Sequence, residues 1–239
     1  MQAAPFWGID GCKTGWLAIA RDEEKNWWAE VFSDFSALGR TAQSAQRVLV
    51  DIPIGLPTHQ ARRCDTLARQ RLQARRSSVF PVPSRAALQA PDYRSGCDRN
   101  QALMGKRISK QAWNIGPKIL EVDRWLLQHD PRQQQVRECH PELALMGLNH
   151  GVPMAHNKKK TEGQQERLHV LRRHWTAVDE IFHELLKRFP RRAVAPDDIL
   201  DALALTLTAA QAPALVALPP EPEYDEQGLR MEITYGQFE

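Results

Sequence analysis

Two apolar segments near the start of the chain each reach an aspartate at the point where a turn begins. Asp10 lies in GIDGCKTGW, whose glycines permit a sharp bend, and Asp51 lies in LVDIPIG, where an apolar run ends. In a mostly parallel sheet, the carboxyl ends of neighbouring strands line the crevice in which ligands bind. We therefore expect the two carboxylates to converge at one edge of a sheet. Either aspartate alone could instead cap a turn.

The apolar pattern around these aspartates predicts the order β-β-β-α-β. Residues 6–19 are typical of two strands joined by a tight bend, and a third strand (27–32), a helix (35–46) and a fourth strand (47–54) follow. Later periodicity predicts helices over 58–76, about 105–129, 161–173, 177–189 and 197–211, and strands over 134–139 and 229–235. The prolines and glycines of residues 77–100 predict irregular structure there.

Length and composition narrow the class of protein. A chain of 239 residues with 42% hydrophobic and 26% charged residues is typical of one α/β domain and excludes disordered and fibrous proteins. We expect a single domain over residues 1–239, with a helix and loop insertion at about 56–130. No long apolar stretch or signal peptide is evident, so no membrane association and a cytoplasmic location are expected. The four scattered cysteines indicate neither a zinc site nor a disulfide framework.

Charge is unevenly distributed along the chain. Residues 58–76 contain six arginines against Asp65, a local charge of +5, whereas the last 22 residues have a balance of −5. A basic cluster on a helix is either a solvated face or a phosphate-binding surface. Residues predicted to bind substrate phosphates are Lys13, Arg63, Arg69, Arg76, Ser77, Ser78, Arg85, Lys118 and Lys160.

A second acidic group lies in DDILDALALTLTA. Asp198 and Asp201 are three residues apart and share a face of a helix that is otherwise apolar or small. Two buried carboxylates repel each other unless a cation lies between them. With Asp10 and Asp51 they would form an all-oxygen group suited to Mg²⁺ or Mn²⁺. Asp197 or Asp198 could alternatively cap the helix.

The motif ECHPE places His140 at a strand end. His140 is predicted to be a proton shuttle in catalysis, with a helix cap or an interior hydrogen-bonding residue as the alternative. The run of three lysines at 158–160 could hold a phosphate at a helix N-terminus or be an ordinary exposed loop.

Six motifs in order resemble the family catalogued as domain of unknown function 429. They are GIDGCKTGW, VDIPIGLP, RRCDTLARQRL followed by SSVFPVPSR, SKQAWNIGPKILEVD, ECHPE and DDILDALALTLTA. That family is predicted to consist of ribonuclease-H-like nucleases, distantly related to RuvC-type Holliday-junction resolvases. The resemblance implies that Asp10 is the first-strand aspartate, that Asp51 ends the fourth strand, and that Asp198 and Asp201 lie on the terminal helix. In that fold the four acids hold two divalent ions about 4 Å apart.

We therefore expect an α/β, ribonuclease-H-like domain with a mixed five-stranded sheet, flanking helices and a helical insertion. The expected function is hydrolysis of phosphodiester bonds in nucleic acid, with two Mg²⁺ or Mn²⁺ ions. An actin-like kinase remains an alternative because GIDGCKTGWLAIA also resembles the phosphate-binding hairpin of such enzymes. A non-catalytic nucleic-acid-binding module is the other alternative. The oligomeric state stays open between a monomer and a dimer.

Overall fold

A computed structural model describes residues 5–129, 135–212 and 214–238 of the chain. A mixed five-stranded sheet with the strand order β3-β2-β1-β4-β5 lies at its centre. The strands are β1 (Phe6–Cys12), β2 (Gly15–Arg21), β3 (Trp27–Phe32), β4 (Arg47–Val50) and β5 (Val136–Glu138). β2 pairs antiparallel with both β1 and β3, whereas β4 pairs parallel with both β1 and β5. The predicted mixed sheet with an antiparallel first hairpin is confirmed, and it is consistent with the ribonuclease-H-like fold.

Helices cover the sheet and fill the connections. They are α1 (Phe35–Thr41), α2 (Arg63–Leu72), α3 (Arg85–Leu88), α4 (Tyr93–Met104), α5 (Lys110–Gln128), α6 (Pro141–Leu148), α7 (Thr161–His174), α8 (Val178–Arg188) and α9 (Pro196–Gln211). A 3₁₀ helix (Gln73–Ser78) continues directly from α2. The chain between β4 and β5, where the insertion is predicted, thus contains α2 to α5. A separate antiparallel pair, β6 (Leu215–Tyr224) and β7 (Arg230–Gly236), follows α9.

Strand β2 illustrates how the sheet divides the apolar core. Leu17 and Ile19 pack into the cluster on the side of α6 to α9, whereas Trp16, Ala18 and Ala20 pack beside α1 and α5. This division follows from the strand, whose successive side chains point to opposite faces. Because every residue of β2 is buried, both faces of the sheet are covered by helices.

Gly8 allows α9 to pack directly against β1. A Cβ atom at this position would lie 2.2 Å from the Thr206 backbone nitrogen and 2.3 Å from the Ala202 carbonyl oxygen. Strand and helix backbones therefore meet without an intervening side chain. The contact also brings the turn of α9 that carries Asp201 against the strand that carries Asp10.

The prediction of irregular structure over residues 77–100 is wrong, because α3 and most of α4 lie there. The Ser84 side chain accepts a hydrogen bond from the Ala87 backbone nitrogen at the start of α3, and Asp92 does the same for Ser95 at the start of α4. Such capping bonds satisfy backbone donors that a helix start leaves free. The proline content of the segment obscured both caps.

Several element boundaries also differ from the prediction. α2 begins at Arg63 instead of residue 58, while α6 and β6 are not predicted at all. β6 contains three prolines, which sheets tolerate at edges, and among the described residues it pairs with β7. The predicted tail strand corresponds to β7. Residue 134, the predicted start of β5, lies outside the described residues. None of the described helices has both the length and the apolar character required to span a bilayer.

Candidate metal centre

Three carboxylates from three separate elements meet at the carboxyl edge of the sheet. The parallel pairing of β1 with β4 ends at Ile9 and Val50, and Asp10 and Asp51 come directly after these residues. Asp201 comes from the early part of α9. One oxygen atom of each carboxylate lies within 4.8 Å of the others. The structure thus brings together three of the four acids that the sequence singles out as metal ligands.

These carboxylates lack the donors that would normally stabilise buried negative charge. No described residue donates a hydrogen bond to the side chain of Asp10 or Asp51. Burial raises the pKa of Asp10 well above its ordinary value, and the neighbouring Asp51 and Asp201 raise it further. Burial and Asp201 together raise the pKa of Asp51 to about 7. The group therefore carries negative charge for which the described protein atoms supply too little compensation.

Lys158 supplies one positive charge to this group. Its ammonium group donates a hydrogen bond to Oδ2 of Asp201 and forms an ion pair with it. Burial alone would lower the pKa of Lys158, but Asp201, Asp10 and Asp51 outweigh that effect and raise it. The sequence shows Lys158 only as one of three consecutive lysines, 43 residues from its partner, so its place in the site is not predicted.

The fourth predicted ligand, Asp198, lies outside the three-carboxylate group. Its Oδ2 accepts a hydrogen bond of 2.8 Å from the Ala195 backbone nitrogen and so closes the start of α9. This hydrogen bond corresponds to the alternative interpretation of Asp198, in which it caps the helix. Burial is the main cause that raises the pKa of Asp198 to about 6. Asp198 therefore acts on the three carboxylates through its charge.

A cleft of about 550 Å³ opens beside the carboxylates. Asp10, Asp51 and Lys158 line one part of it, whereas Asp201 is 1% exposed and does not line it. Other lining residues with polar side chains are Arg62, Asp65, Arg75, Ser77, Ser78, Gln111, Glu138, His140, Glu142, Asn157 and Lys159. Outside the three-carboxylate group, the cleft thus offers hydroxyl and basic groups together with further acids that pair with arginines.

The predicted phosphate-binding residues are distributed over different surfaces. Ser77 and Ser78 line the cleft, whereas Lys13, Arg63, Arg69, Arg76, Arg85, Lys118 and Lys160 do not. The Arg69 guanidinium donates to the Val79 carbonyl at 2.9 and 2.8 Å. Arg85 pairs with Asp123 and Asp225 at 2.8 and 2.5 Å. Both arginines therefore hold parts of the protein together.

Lys118 also bonds the protein itself, since its ammonium donates to the Gly15 carbonyl and lies 4.4 Å from the centre of the Trp16 ring. Arg63, Lys13 and Lys160 have exposed side chains away from the cleft. Arg69 and Arg76 line a separate depression together with Thr66 and Gln73. Arg63, Arg69 and Arg76 of the predicted arginine surface therefore lie outside the cleft, whereas Arg62 and Arg75 line it.

His140 caps helix α6 at the rim of the cleft. Its Nδ1 accepts a hydrogen bond from the Glu142 backbone nitrogen at 3.2 Å, and its Nε2 lies 3.3 Å from the Ser78 carbonyl. This pairing corresponds to the neutral ring with a proton on Nε2. Burial lowers the pKa of His140, which also favours the neutral form. The structure thus shows the cap and places the predicted proton shuttle in the cleft with both nitrogens engaged.

Glu142 and two arginines form a buried group that the sequence analysis missed. Glu142 pairs with Arg167 at 2.5 Å and with Arg75 at 2.9 Å. Burial opposes ionisation of Glu142, but the two guanidinium groups prevail and lower its pKa. The acid lies in the first turn of α6, where the helix dipole also favours a negative charge. The sequence signal available for Glu142 was its position two residues after His140.

Comparisons with known proteins identify one related family. The family model described as Protein of unknown function (DUF429) matches residues 8–224. No curated protein and no solved structure matches the chain. The matched region includes β1 from Gly8 onward, β2 to β5, all three clustered carboxylates and Lys158.

Proposed function

This chain belongs to the DUF429 family, and from its carboxylate centre we propose that it is a nuclease dependent on Mg²⁺ or Mn²⁺ that hydrolyses phosphodiester bonds in nucleic acid. The observation that carries the proposal is the meeting of Asp10, Asp51 and Asp201, whose oxygens lie within 4.8 Å of one another. Their three elements are far apart in sequence, so the tertiary fold itself creates the group.

The donor set fits a hard divalent cation. Carboxylate oxygens are the ligands that Mg²⁺ and Mn²⁺ prefer, and neither cysteine nor histidine belongs to the group. Burial and the mutual repulsion of the carboxylates raise the pKa values of Asp10 and Asp51, and a cation among them would relieve that repulsion. Asp10, Asp51 and Asp201 would therefore be the ligands. A divalent ion held there would polarise a phosphoryl oxygen and activate water.

The chain's own residues would bind and orient the substrate. Ser77, Asn157 and Lys159 line the cleft beside the carboxylates and offer donors to phosphate oxygens. A volume of about 550 Å³ is in the range of small-ligand sites and accommodates a nucleotide. In the reaction, water forms a bond to phosphorus and the bond to the leaving oxygen breaks. One proton passes to solvent and the leaving oxygen takes up one proton.

The decisive experiment is a cleavage assay with single-stranded, duplex, hybrid and branched oligonucleotides in Mg²⁺ or Mn²⁺. The wild type should cut at least one substrate. Asp10→Asn should abolish cleavage and leave oligonucleotide affinity nearly unchanged, because the carboxylates carry the chemistry and not the affinity. Full cleavage by Asp10→Asn would refute the mechanism.

The same assay separates the alternatives. An actin-like kinase would consume nucleoside triphosphate in the presence of a small acceptor and leave oligonucleotides intact. A binding module would retain oligonucleotides without cleaving them. Failure of the wild type to cut any substrate would therefore favour one of these two functions.

Salt dependence of binding shows which surface the nucleic acid contacts. Lys159→Gln should flatten the slope of log affinity against log salt by about 1 if Lys159 neutralises one phosphate. Arg76→Gln is the matched control, since Arg76 is exposed but lies outside the cleft. The reverse result, a flatter slope in Arg76→Gln alone, would place the nucleic acid on the arginine-rich surface.

A further inference from the structure

Lys158 lies in a short turn whose backbone is fixed by its neighbours. The Lys160 backbone nitrogen donates to the Asn157 carbonyl at 2.9 Å, and the Lys159 backbone nitrogen donates to Oδ1 of Asn157 at 2.9 Å. These bonds close the turn on both sides of Lys158. The ammonium group is therefore carried by an ordered segment.

Helix α7 holds this turn against the body of the protein. A Cβ atom at Gly163 would lie 2.0 Å from the Asn157 carbonyl oxygen, so the turn packs directly on the helix. The fully buried Arg167 donates to the carbonyls of His156 and Gly163 at 3.1 and 2.8 Å. Since these contacts are to backbone, they fix the position of Lys158 independently of its ion pair. The fold itself thus positions Lys158 at the centre.

The charges in the centre match one divalent ion. Three carboxylates and the Lys158 ammonium carry a net charge of −2. Glu142, which also acts on Asp51 and Asp201, is neutralised by its own arginines, Arg167 and Arg75. Asp198 adds a further negative charge from outside the group. One divalent cation therefore balances the three carboxylates and Lys158, and two would leave an excess of positive charge even when Asp198 is counted.

The spacing of the ligand oxygens also suits one ion. Ligand oxygens on opposite sides of one Mg²⁺ are about 4 Å apart, close to the spacing of the three carboxylates. A second ion would need further oxygens. Oδ2 of Asp198 is engaged by the Ala195 backbone nitrogen, and Oδ2 of Asp201 is engaged by Lys158.

From this arrangement we infer that the Lys158 ammonium takes the place of a second metal ion and that the centre holds a single divalent cation. The inference rests on the proposed nuclease function and revises the expectation of two ions. Lys158 lines the cleft, so it can contact the phosphate that Asp10 and Asp51 face. It would remain protonated and stabilise the negative charge that grows on phosphate and leaving oxygens during hydrolysis, while the protons are exchanged with solvent.

The test is to count Mn²⁺ ions by calorimetric titration. The protein is titrated alone and with an oligonucleotide in which methylenephosphonate linkages prevent cleavage. Wild type should bind one ion in both cases. Lys158→Met should also bind one ion, more tightly because a positive charge is gone, yet cleave more than about 100-fold more slowly at saturating Mn²⁺. Lys158→Arg, which keeps the charge, should recover part of the rate.

Lys160→Met is the matched control for metal binding, because it removes the same charge from the same turn without touching the carboxylates. Its Mn²⁺ affinity and stoichiometry should equal those of the wild type. Two ions bound by the wild type, or full cleavage by Lys158→Met, would overturn the role of Lys158 and leave the nuclease proposal intact. No Mn²⁺ binding by the wild type would instead refute the metal centre itself.

Discussion

Two groups of charged side chains lie beside the same cleft, and they differ in how completely their carboxylates are paired. We call Arg62, Asp65 and Glu138 the arginine network, and Asp10, Asp51, Asp201 and Lys158 the metal centre. In the arginine network, Arg62 donates to Asp65 at 2.6 Å and to the two oxygens of Glu138 at 2.7 and 2.8 Å. The Ile54 backbone nitrogen adds a further bond to Glu138 at 2.8 Å. Each carboxylate there has donors from the protein.

The metal centre has almost none of these donors. Among the described residues, Lys158 bonds Asp201, while the side chains of Asp10 and Asp51 accept no hydrogen bond. Asp10 and Asp201 are as buried as Asp65 and Glu138, whereas Asp51 and Lys158 are partly exposed, so the burial of the carboxylates alone does not separate the two groups. The comparison supports the proposal that a carboxylate without donors is arranged for a ligand, whereas one with a full set of donors stabilises the fold.

The largest effect should come from breaking the arginine network. Arg62→Met leaves Asp65 and Glu138 buried without their main partner, and the loss of one member of such a pair typically costs about 3–5 kcal/mol. Urea denaturation should show this decrease in the free energy of unfolding. Arg71→Met, on the helix that Arg62 directly precedes, is the matched control, and loss of its exposed side chain should change stability by less than about 0.5 kcal/mol. Equal stability of the two variants would mean that the network contributes nothing to the fold.

The second effect concerns the contact that assembles the metal centre but not the arginine network. Gly8→Ala inserts a methyl group 2.2 Å from the α9 backbone, which should cost about 2–3 kcal/mol. It should also weaken Mn²⁺ binding, because the displaced helix α9 would move Asp201 away from Asp10. Gly116→Ala is the control, since its added methyl group meets only the end of the Leu88 side chain at 3.0 Å. Unchanged Mn²⁺ affinity in Gly8→Ala would show that this contact between β1 and α9 does not position the metal ligands.

The contrast between the two groups also marks what the sequence could predict. Asp10 and Asp51 each follow a strand, and parallel pairing places such residues side by side, so their convergence follows from the strand pattern. Asp201 stands out because it is an acid on an otherwise apolar helix. The first strands and the tail strand follow from their apolar patterns, whereas the order of the strands in the sheet does not.

The roles of Arg62 and Lys158 were not predicted, because each has residues of the same type nearby in the sequence. Arg62 is one of six arginines in residues 58–76, and only the start of α2 at Arg63 places it inside the protein. Lys158 is one of three consecutive lysines, and the packing of Gly163 and Arg167 decides which of them reaches the acids. Selection among like charges depends on tertiary packing, and the local pattern carries no signal for it.

Removing negative charge from the metal centre should stabilise the metal-free protein. The pKa of Asp51 in the folded state is about 7, above its ordinary value of 3.8. The unfolded chain therefore binds fewer protons between these values, and stability should fall as the pH rises from about 4 to about 7. In EDTA at pH 8, Asp51→Asn should be more stable than wild type by about 1–3 kcal/mol, since the wall of the cleft retains some water.

Two measurements check this prediction. Urea denaturation in EDTA at pH 5 and pH 8 should show that the advantage of Asp51→Asn grows with pH. Addition of Mn²⁺ should then raise the melting temperature of the wild type, because an ion that binds only the folded state stabilises it, and should have little effect on the variant. A variant that is less stable than wild type in EDTA at both pH values would show that Asp51 already has structural partners.

The smallest expected effect on stability comes from Asp198, and it tests whether this carboxylate is only a helix cap or also a metal ligand. Asp198→Ala removes the hydrogen bond to the Ala195 backbone nitrogen at the start of α9, and loss of such a cap typically costs about 0.5–1 kcal/mol. If Asp198 is only a cap, Mn²⁺ should still bind with nearly the wild-type affinity, because the three oxygens of Asp10, Asp51 and Asp201 remain. Asp201→Asn, on the same face of the helix, is the comparison and should lose most of the affinity. Calorimetric titration that shows equal losses in the two variants would make Asp198 a fourth ligand. It would then supply the additional oxygen that a second ion requires, and the distinction between a capping carboxylate and a ligand carboxylate would fail at this residue.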